Sequence, residues 1–450
     1  MNTYPTTTRP SSINTDALAG VGCTSMNFVP RTAAAAAFSF ALILLSVASN
    51  ELHAGEALLV GVGLTNSLEA IEVRSGASVG TFVQPAAGAS YQTFGPRGLL
   101  CVNNQLLVVN QNVDTPYTGE ILKFNLNTGA FIGKLVPSSN ANAPYAPRGM
   151  IAGPNGVIYV ADFGGFETAH PGRIARFNTQ GVFIGNVVTT GLSVPFYPMG
   201  LVIGPDGLLY VSGVGNFTQG SINGFIFRFQ FNAGTQNYRY LDTIVSSTAA
   251  NFYASGLHGP EGIIFGPDGN IYITSFLSTF NNNLGSSVTD RDAILVFDTS
   301  GQRLGSPIYL YGTNEPRVFA QTMLFGPRGD LFVPITSDGG VRRYSATEDF
   351  QQFTVLPTDG ASLGQPWYLT FRATNPTTLA YQPPQLTATL NGDRFDVSWP
   401  ANYVGWQLQV QADGLSRDRW VDVPESIGTN SFSRLRDPSD SSAFFRLVAP

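Results

Sequence analysis

The 450-residue chain carries 24 Lys and Arg against 30 Asp and Glu, a net charge of −6, with only 12% of its residues charged. Lys123 and Lys134 are the only lysines and there is no basic run, so the electrostatic footprint of a nucleic-acid binder is missing. Forty-nine glycines, 29 prolines and 12% aromatic residues favour an all-β chain of short strands and tight turns, long enough for two or three domains.

Residues 1–25 are polar, of low complexity and without hydrophobic period, and are expected to be disordered, with Met26 the better start. Arg31, the apolar residues 33–47 and the small-residue sites at Ala48-Ser49 or Leu52-His53-Ala54 read as a signal peptide. The apolar run of about fifteen residues is short of the roughly 20 that span a bilayer, so cleavage is expected over anchoring and the product is secreted, periplasmic or on the cell surface. His53 falls in this leader, which leaves His170 and His258 and excludes a multi-histidine metal centre. Cys23 precedes the leader's apolar run and Cys101 sits in a predicted strand as a small buried thiol, so no disulfide is expected.

Residues 56–84 hold three strands, at 57–61, 68–73 and 78–83. From there a pattern returns: Pro96-Arg97-Gly98, Pro147-Arg148-Gly149, Pro198-Met199-Gly200 and Pro260-Glu261-Gly262 each open an apolar run. Ala320-Gln321-Thr322 and Pro366-Trp367-Tyr368 hold the same place in weaker copies. Seven residues separate Pro147 from Pro154, Pro198 from Pro205, Pro260 from Pro267 and Ala320 from Pro327, enough for one strand and its turn. The turns begin at Gly153, Gly204, Gly266 and Gly326 as Gly-Pro-x-Gly, where Pro presets φ and the last Gly accepts a positive one. A second, third and fourth strand follow each turn, and four strands per repeat make a propeller blade. The first repeat lacks its first strand and residues 366–371 lack the other three, so the two ends are expected to pair and close a ring of six blades without a large exposed edge.

Residues 1–54 are thus leader, 55–382 the propeller and 383–450 a second domain, set off by Pro383-Pro384. That segment alternates as short strands at 386–390, 395–399, 406–410, 420–423 and 443–447, with Trp399, Trp406 and Trp420 as expected core. It resembles a compact immunoglobulin or fibronectin type III sandwich, which implies attachment or spacing rather than chemistry.

The recurring Pro-x-Gly, Gly-Pro-Asp-Gly-x-[Ile/Leu]-Tyr and [Gly/Arg]-x-Ile-x-x-Phe pattern over residues 56–381 resembles the NHL-repeat propellers and, more loosely, the gluconolactonase-like and streptogramin-lyase-like propellers. The resemblance implies a fold that hosts binding platforms, lactonases and lyases alike. Gluconolactonase-like enzymes take one ligand of their divalent cation from a Glu-Gly-Pro at the start of the first full repeat. This chain has Gly95-Pro96-Arg97-Gly98 there, and its one glutamate near such a turn, Glu261, stands in Pro-Glu-Gly order. The lyase propellers use histidines near the channel mouth, for which His258 and His170 are the only candidates.

Loops entering the first strands and joining the second to the third share one propeller face. Arg97, Arg148, Met199, Glu261, Gln321 and Trp367 would therefore ring the channel entrance, one per blade. Two arginines opposite a glutamate either clamp a carboxylate or sugar acid with their bidentate forks or pair with Glu261 inside the ring. Long loops add aromatic surface, with Tyr117, Phe163, Phe166, Phe217, Phe276 and Phe280 suited to sugar or peptide contact. Asp114, Asp162, Asp290 and Asp292 are the candidates for a divalent cation such as calcium, but no Asp-x-Asp-x-Asp-Gly loop exists and no cofactor is expected. His258 beside Glu261, with Asp162, is the only grouping suited to acid–base work. The expectation is a non-catalytic monomeric platform for an extracellular small molecule, peptide or glycan, or for a protein partner. A propeller hydrolase or lyase is the alternative.

Overall fold

A computed structural model describes residues 41–42, 57–114, 118–165, 170–215, 217–218, 221–248, 255–276, 291–313, 315–382, 385–400, 403, 406–412, 419–436 and 442–448. The described residues contain no α-helix, and hence no helix long and apolar enough to cross a membrane. Their β-strands form a β-propeller followed by a smaller all-β unit.

Six four-stranded antiparallel sheets follow one another along the chain. Sheet 2 runs Pro96–Val102, Gln105–Asp114, Thr118–Asn125 and Phe131–Val136, and sheet 3 Pro147–Ala152, Ile158–Asp162, Arg173–Phe177 and Phe183–Asn186. Sheet 4 takes Tyr197–Ile203, Leu209–Val214, Gly224–Asn232 and Asn237–Ser247, and sheet 5 Ile263–Phe265, Ile271–Ser275, Ala293–Phe297 and Arg303–Tyr309. Sheet 6 holds Leu324–Phe325, Leu331–Ile335, Gly340–Tyr344 and Phe353–Leu356. Sheet 1 combines Ala57–Val62, Ser67–Glu72 and Ser78–Val83 with Pro366–Phe371 from the far end, in the register Leu58 to Phe371 and Gly61 to Tyr368. The first strands of sheets 5 and 6 are shorter than their sequence copies suggested.

Alternating side chains of each sheet bury both faces against its neighbours. Leu100 and Val109 of sheet 2 pack with Met150 and Phe177 of sheet 3, Ile151 of sheet 3 with Phe227 of sheet 4, and Val202 of sheet 4 with Ile273 of sheet 5. Leu68 of sheet 1 meets Val108 of sheet 2, and one larger cluster joins Ile264, Val333 and Leu58 of sheets 5, 6 and 1. Each such Val, Leu, Ile or Phe contributes roughly 1.5–3 kcal/mol on burial.

At the centre, glycine lets the first strands approach. A Cβ on Gly98 would sit 2.6 Å from the Arg148 carbonyl oxygen, and one on Gly200 2.4 Å from that of Glu261. Residues 372–382 then cross the far end of the channel: Ala152 and Ile203 donate their amides to the carbonyls of Pro376 and Thr377 (2.8 and 3.2 Å). Leu379 closes a central cavity of about 40 Å³ lined by Gly98, Gly149, Gly200, Gly262 and Tyr368. A pocket for a small organic ligand is about 300–1,000 Å³, so this cavity is too small for one.

The turns differ from expectation in one respect. At Gly204-Pro205-Asp206-Gly207 only the glycine takes positive φ, but Asn155 (φ 58°) and Arg328 (φ 64°) take it as well, ahead of Gly156 and Gly329. The hydrogen bonds Val157 N to Pro154 O (3.3 Å) and Asp330 N to Pro327 O (3.4 Å) close these as tight turns with two left-handed residues.

The C-terminal residues form two small sheets, Thr387–Asn391, Arg394–Ser398 and Ser431–Leu435 in one, and Ser442–Val448, Gln407–Ala412 and Val421–Val423 in the other. Ser431–Leu435 was not expected from sequence; three of its five residues are exposed and none is fully buried. Trp399 and Trp406 are in the core with Phe395 and Phe445, whereas Trp420 is half-buried beneath Arg446. Ala41–Leu42, from the segment read as leader, pairs in parallel with Ser442 and Ala443. Ala373 joins this core, and Tyr403 donates its hydroxyl to the Gln382 carbonyl (2.6 Å), tying the unit to the linker.

Candidate functional site

The Pro-x-Gly openings bring several of their middle residues together at what we call the channel mouth, and six polar side chains meet there. Glu261 (4% exposed) receives three donors on Oε1: Arg97 Nη1 at 3.2 Å, Arg148 Nη1 at 3.5 Å and the Tyr368 hydroxyl at 3.0 Å. Arg97 also donates to Gln111 and Gln321 and lies over the Trp367 ring, 4.7 Å from its centroid. Sequence reasoning missed Tyr368 and Gln111. Tyr368 stands where four of the other openings have glycine, and it lines the same central cavity as those glycines.

Burial and the neighbouring Arg148 lower the Arg97 guanidinium to about 10, with Glu261 opposing, so it stays cationic at neutral pH. Burial, and next the Glu261 charge, push the Tyr368 phenol above its ordinary value, which keeps it a neutral donor. Two cations thus face one anion. Arg148 is the looser of them: its side chain is 18% exposed against 9% for Arg97, and its buried Nε has no hydrogen-bond partner. Phe163 flanks it at 5.5 Å and packs on Tyr197 (5.4 Å), and Met199 is buried with Phe163 in an apolar patch beside the charged cluster. Of the sequence's two alternatives for these arginines, the pairing with Glu261 is the one present, both guanidiniums reaching its Oε1.

The remaining candidates are placed differently. Asp162 does not stand free for acid–base or metal work. It pairs with Arg173 Nε (2.9 Å) and accepts the amides of Tyr145 and Ala146, with Oδ1 also reached by Gly164 N at 3.4 Å. Asp292, a candidate for calcium, is fully buried against Arg317 through bonds of 2.7 and 2.8 Å, which fill its carboxylate with a guanidinium fork. Among the described residues no group of three His, Cys, Asp or Glu side chains is placed to hold a metal ion. His258 is anchored through its backbone, its amide on Ser275 Oγ (3.0 Å) and its carbonyl receiving Phe276 N (2.8 Å). His170 stacks on Tyr145 at 3.9 Å. Phe276 lies 5.8 Å from the Arg317 guanidinium and edge-on to Phe319 at 6.4 Å. Tyr117, Phe166, Phe280 and Asp290, and the side chains of Asp114 and Phe217, lie outside the described residues.

One family model matches the chain, strictosidine synthase-like, N-terminal, over residues 248–275, the stretch that holds His258 and Glu261. No curated protein matches the sequence. Among solved structures the chain is similar to virginiamycin B lyase from Staphylococcus aureus, at 14% identity over 78% of this chain and 95% of that one, TM-score 0.40. It is also similar to a gluconolactonase from Xanthomonas campestris, at 11% identity over 78% and 94%, TM-score 0.41. Likenesses this distant assign no activity to the chain.

Proposed function

We propose that the six sheets are the blades of a closed six-bladed ring of NHL-like type, that residues 383–450 are an immunoglobulin- or fibronectin-like spacer, and that the chain is exported behind its leader. The ring acts as a binding platform for an extracellular ligand that carries a carboxylate, a small molecule, peptide or glycan, taken at the loop face. One observation carries this reading: the mouth holds two guanidiniums against one carboxylate, with Arg148 partly exposed and its Nε unpaired. A ligand carboxylate there would supply the missing anion and meet a planar fork, while Phe163 gives a hydrophobic wall beside it.

The test pairs each acidic ligand with its neutral counterpart, peptide acids with peptide amides and uronate oligosaccharides with their uncharged parents, on immobilised panels. The wild-type chain is expected to retain the acidic member and Arg148→Ala to release it with little change in melting temperature. Equal retention of both members, or full retention by the variant, would overturn the reading.

A hydrolase or lyase is the second reading, favoured by the family match over residues 248–275. Glu261 would then have to exchange its donors for a substrate proton or a cation. Chelator-sensitive turnover of lactones or esters, lost in Glu261→Gln, would establish it in place of the platform.

A further inference from the structure

A second cavity, of about 460 Å³, lies away from the channel mouth, where sheet 6 meets sheet 1. It is the seam at which the two ends of the chain close on each other. Thr358 donates its amide to the Gly76 carbonyl (2.8 Å) and its hydroxyl to the Ser75 carbonyl (2.9 Å), and Ser78 N reaches Asp359 Oδ2 (3.0 Å). The volume falls within the range of ligand sites, about 300–1,000 Å³.

Its charge is uneven. Arg343 and Arg328 share one carboxylate, with Asp330 Oδ2 taking Arg343 Nη2 at 2.7 Å and Arg328 Nη2 at 3.2 Å. Among the lining side chains two cations stand against one anion, away from the channel mouth and with different residues. The nearby carboxylates of Glu72 and Asp359 are held by the Ser75 hydroxyl and the Ser78 amide. Arg328 is the more exposed, with 44% of its side chain open. Its backbone is the second observation. Arg328 occupies the left-handed position (φ 64°) that Asn155 occupies in the matching turn of sheet 3. That position favours Asn or Gly and disfavours a long side chain. An ion pair so exposed offsets little of the strain. Strain of this kind collects at ligand sites.

The rest of the lining is hydroxyl: Ser345 and Thr347, bonded to each other at 2.8 Å, with Thr354 and Thr358. Among the described residues Leu356 is the only large apolar side chain in the wall, and no aromatic ring lines it for a base or arene to stack on. We propose that this seam is a binding site for an acidic saccharide, whose carboxylate lies on Arg328 and Arg343 and whose hydroxyls meet the serine and threonine row. A ligand seated there touches the first and last sheets together and so stabilises closure of the ring.

The test uses the full chain carrying Arg148→Ala, so that the channel mouth does not contribute. Calorimetric titration with D-glucuronate, D-glucose and inorganic sulfate is compared with the same chain carrying Arg328→Asn or Arg328→Gly, both of which suit the turn and fold at least as well. The expected result is glucuronate binding at least tenfold tighter than glucose or sulfate, a rise in melting temperature with glucuronate, and at least a tenfold loss of affinity in both Arg328 variants. Equal affinity for glucose, or unchanged glucuronate affinity in the variants, would overturn the proposal. Sulfate binding as tight as glucuronate would replace the saccharide with a bare-anion site and so overturn it too.

Discussion

Arg317 meets Asp292 through two parallel hydrogen bonds, and the two side chains are 3% and 0% exposed. Arg148 meets Glu261 at 3.5 Å, shares that carboxylate with Arg97 and Tyr368, and leaves 18% of its side chain open. Both arginines stand near the openings of their sheets, and both lie against a phenylalanine ring, Phe319 for one and Phe163 for the other. The difference is in charge balance and geometry. One cation closed by one anion in a bidentate fork has no further binding capacity and serves the fold. Two cations crowded on a single oxygen are left with one negative charge between them, and the proposed ligand would supply the second.

Substitutions separate the two regions. The largest effect is expected for Asp292→Ala, which strands a buried guanidinium and should lower stability by about 3–5 kcal/mol in denaturant unfolding. No added anion should restore it, because nothing in that closed pair is open to solvent. Glu261→Gln keeps the size of the side chain and leaves Arg97 and Arg148 without a counter-charge, at about 3 kcal/mol. Here sulfate or a carboxylate should recover part of the melting temperature by mass action. A Glu261→Gln chain whose stability ignores added anions would make the mouth as closed as the Asp292 pair. Next comes Gly200→Ala, whose Cβ would lie 2.4 Å from the Glu261 carbonyl oxygen. The backbone has to shift to admit it, at about 1–3 kcal/mol, and the carboxylate moves with it. Ligand retention should fall along with melting temperature.

The sequence carried the parts of this comparison that depend on local repetition. Regular Pro-x-Gly spacing was enough to bring Arg97, Arg148 and Glu261 to one ring, because a shared turn fixes where each first strand begins. The pairing of Ala57–Val62 with Pro366–Phe371 followed from the strand each end lacked. What the spacing could not carry is the partner choice of each side chain. Tyr368 reaches Glu261 across 107 residues only after the ring has closed, and Asp292 finds Arg317 through a loop with no repeating signature. Asp162 and Asp292 looked alike as loop aspartates, and only the position of an arginine on a neighbouring segment turns each into a structural acceptor. Arg328 was visible as a departure from Gly-Pro-Asp-Gly, but its left-handed backbone depends on which of two turn types the hairpin adopts.

The smallest effect, and the most discriminating, belongs to Arg148→Ala. Removing Arg148 takes away one contact of 3.5 Å and leaves Glu261 with Arg97 and Tyr368. It also removes the neighbouring cation that, after burial itself, lowers the Arg97 guanidinium. The lost attraction to Glu261 and the relieved repulsion from Arg97 oppose each other, so stability should change by no more than about 1 kcal/mol. The folded chain then contains one cation against one anion, the balance already found at Asp292 and Arg317, and should lose its stabilisation by carboxylates while keeping its melting temperature without them. A melting temperature that falls as far as in Asp292→Ala would instead make Arg148 part of a closed structural network, and the channel mouth would have no charge left to offer a ligand.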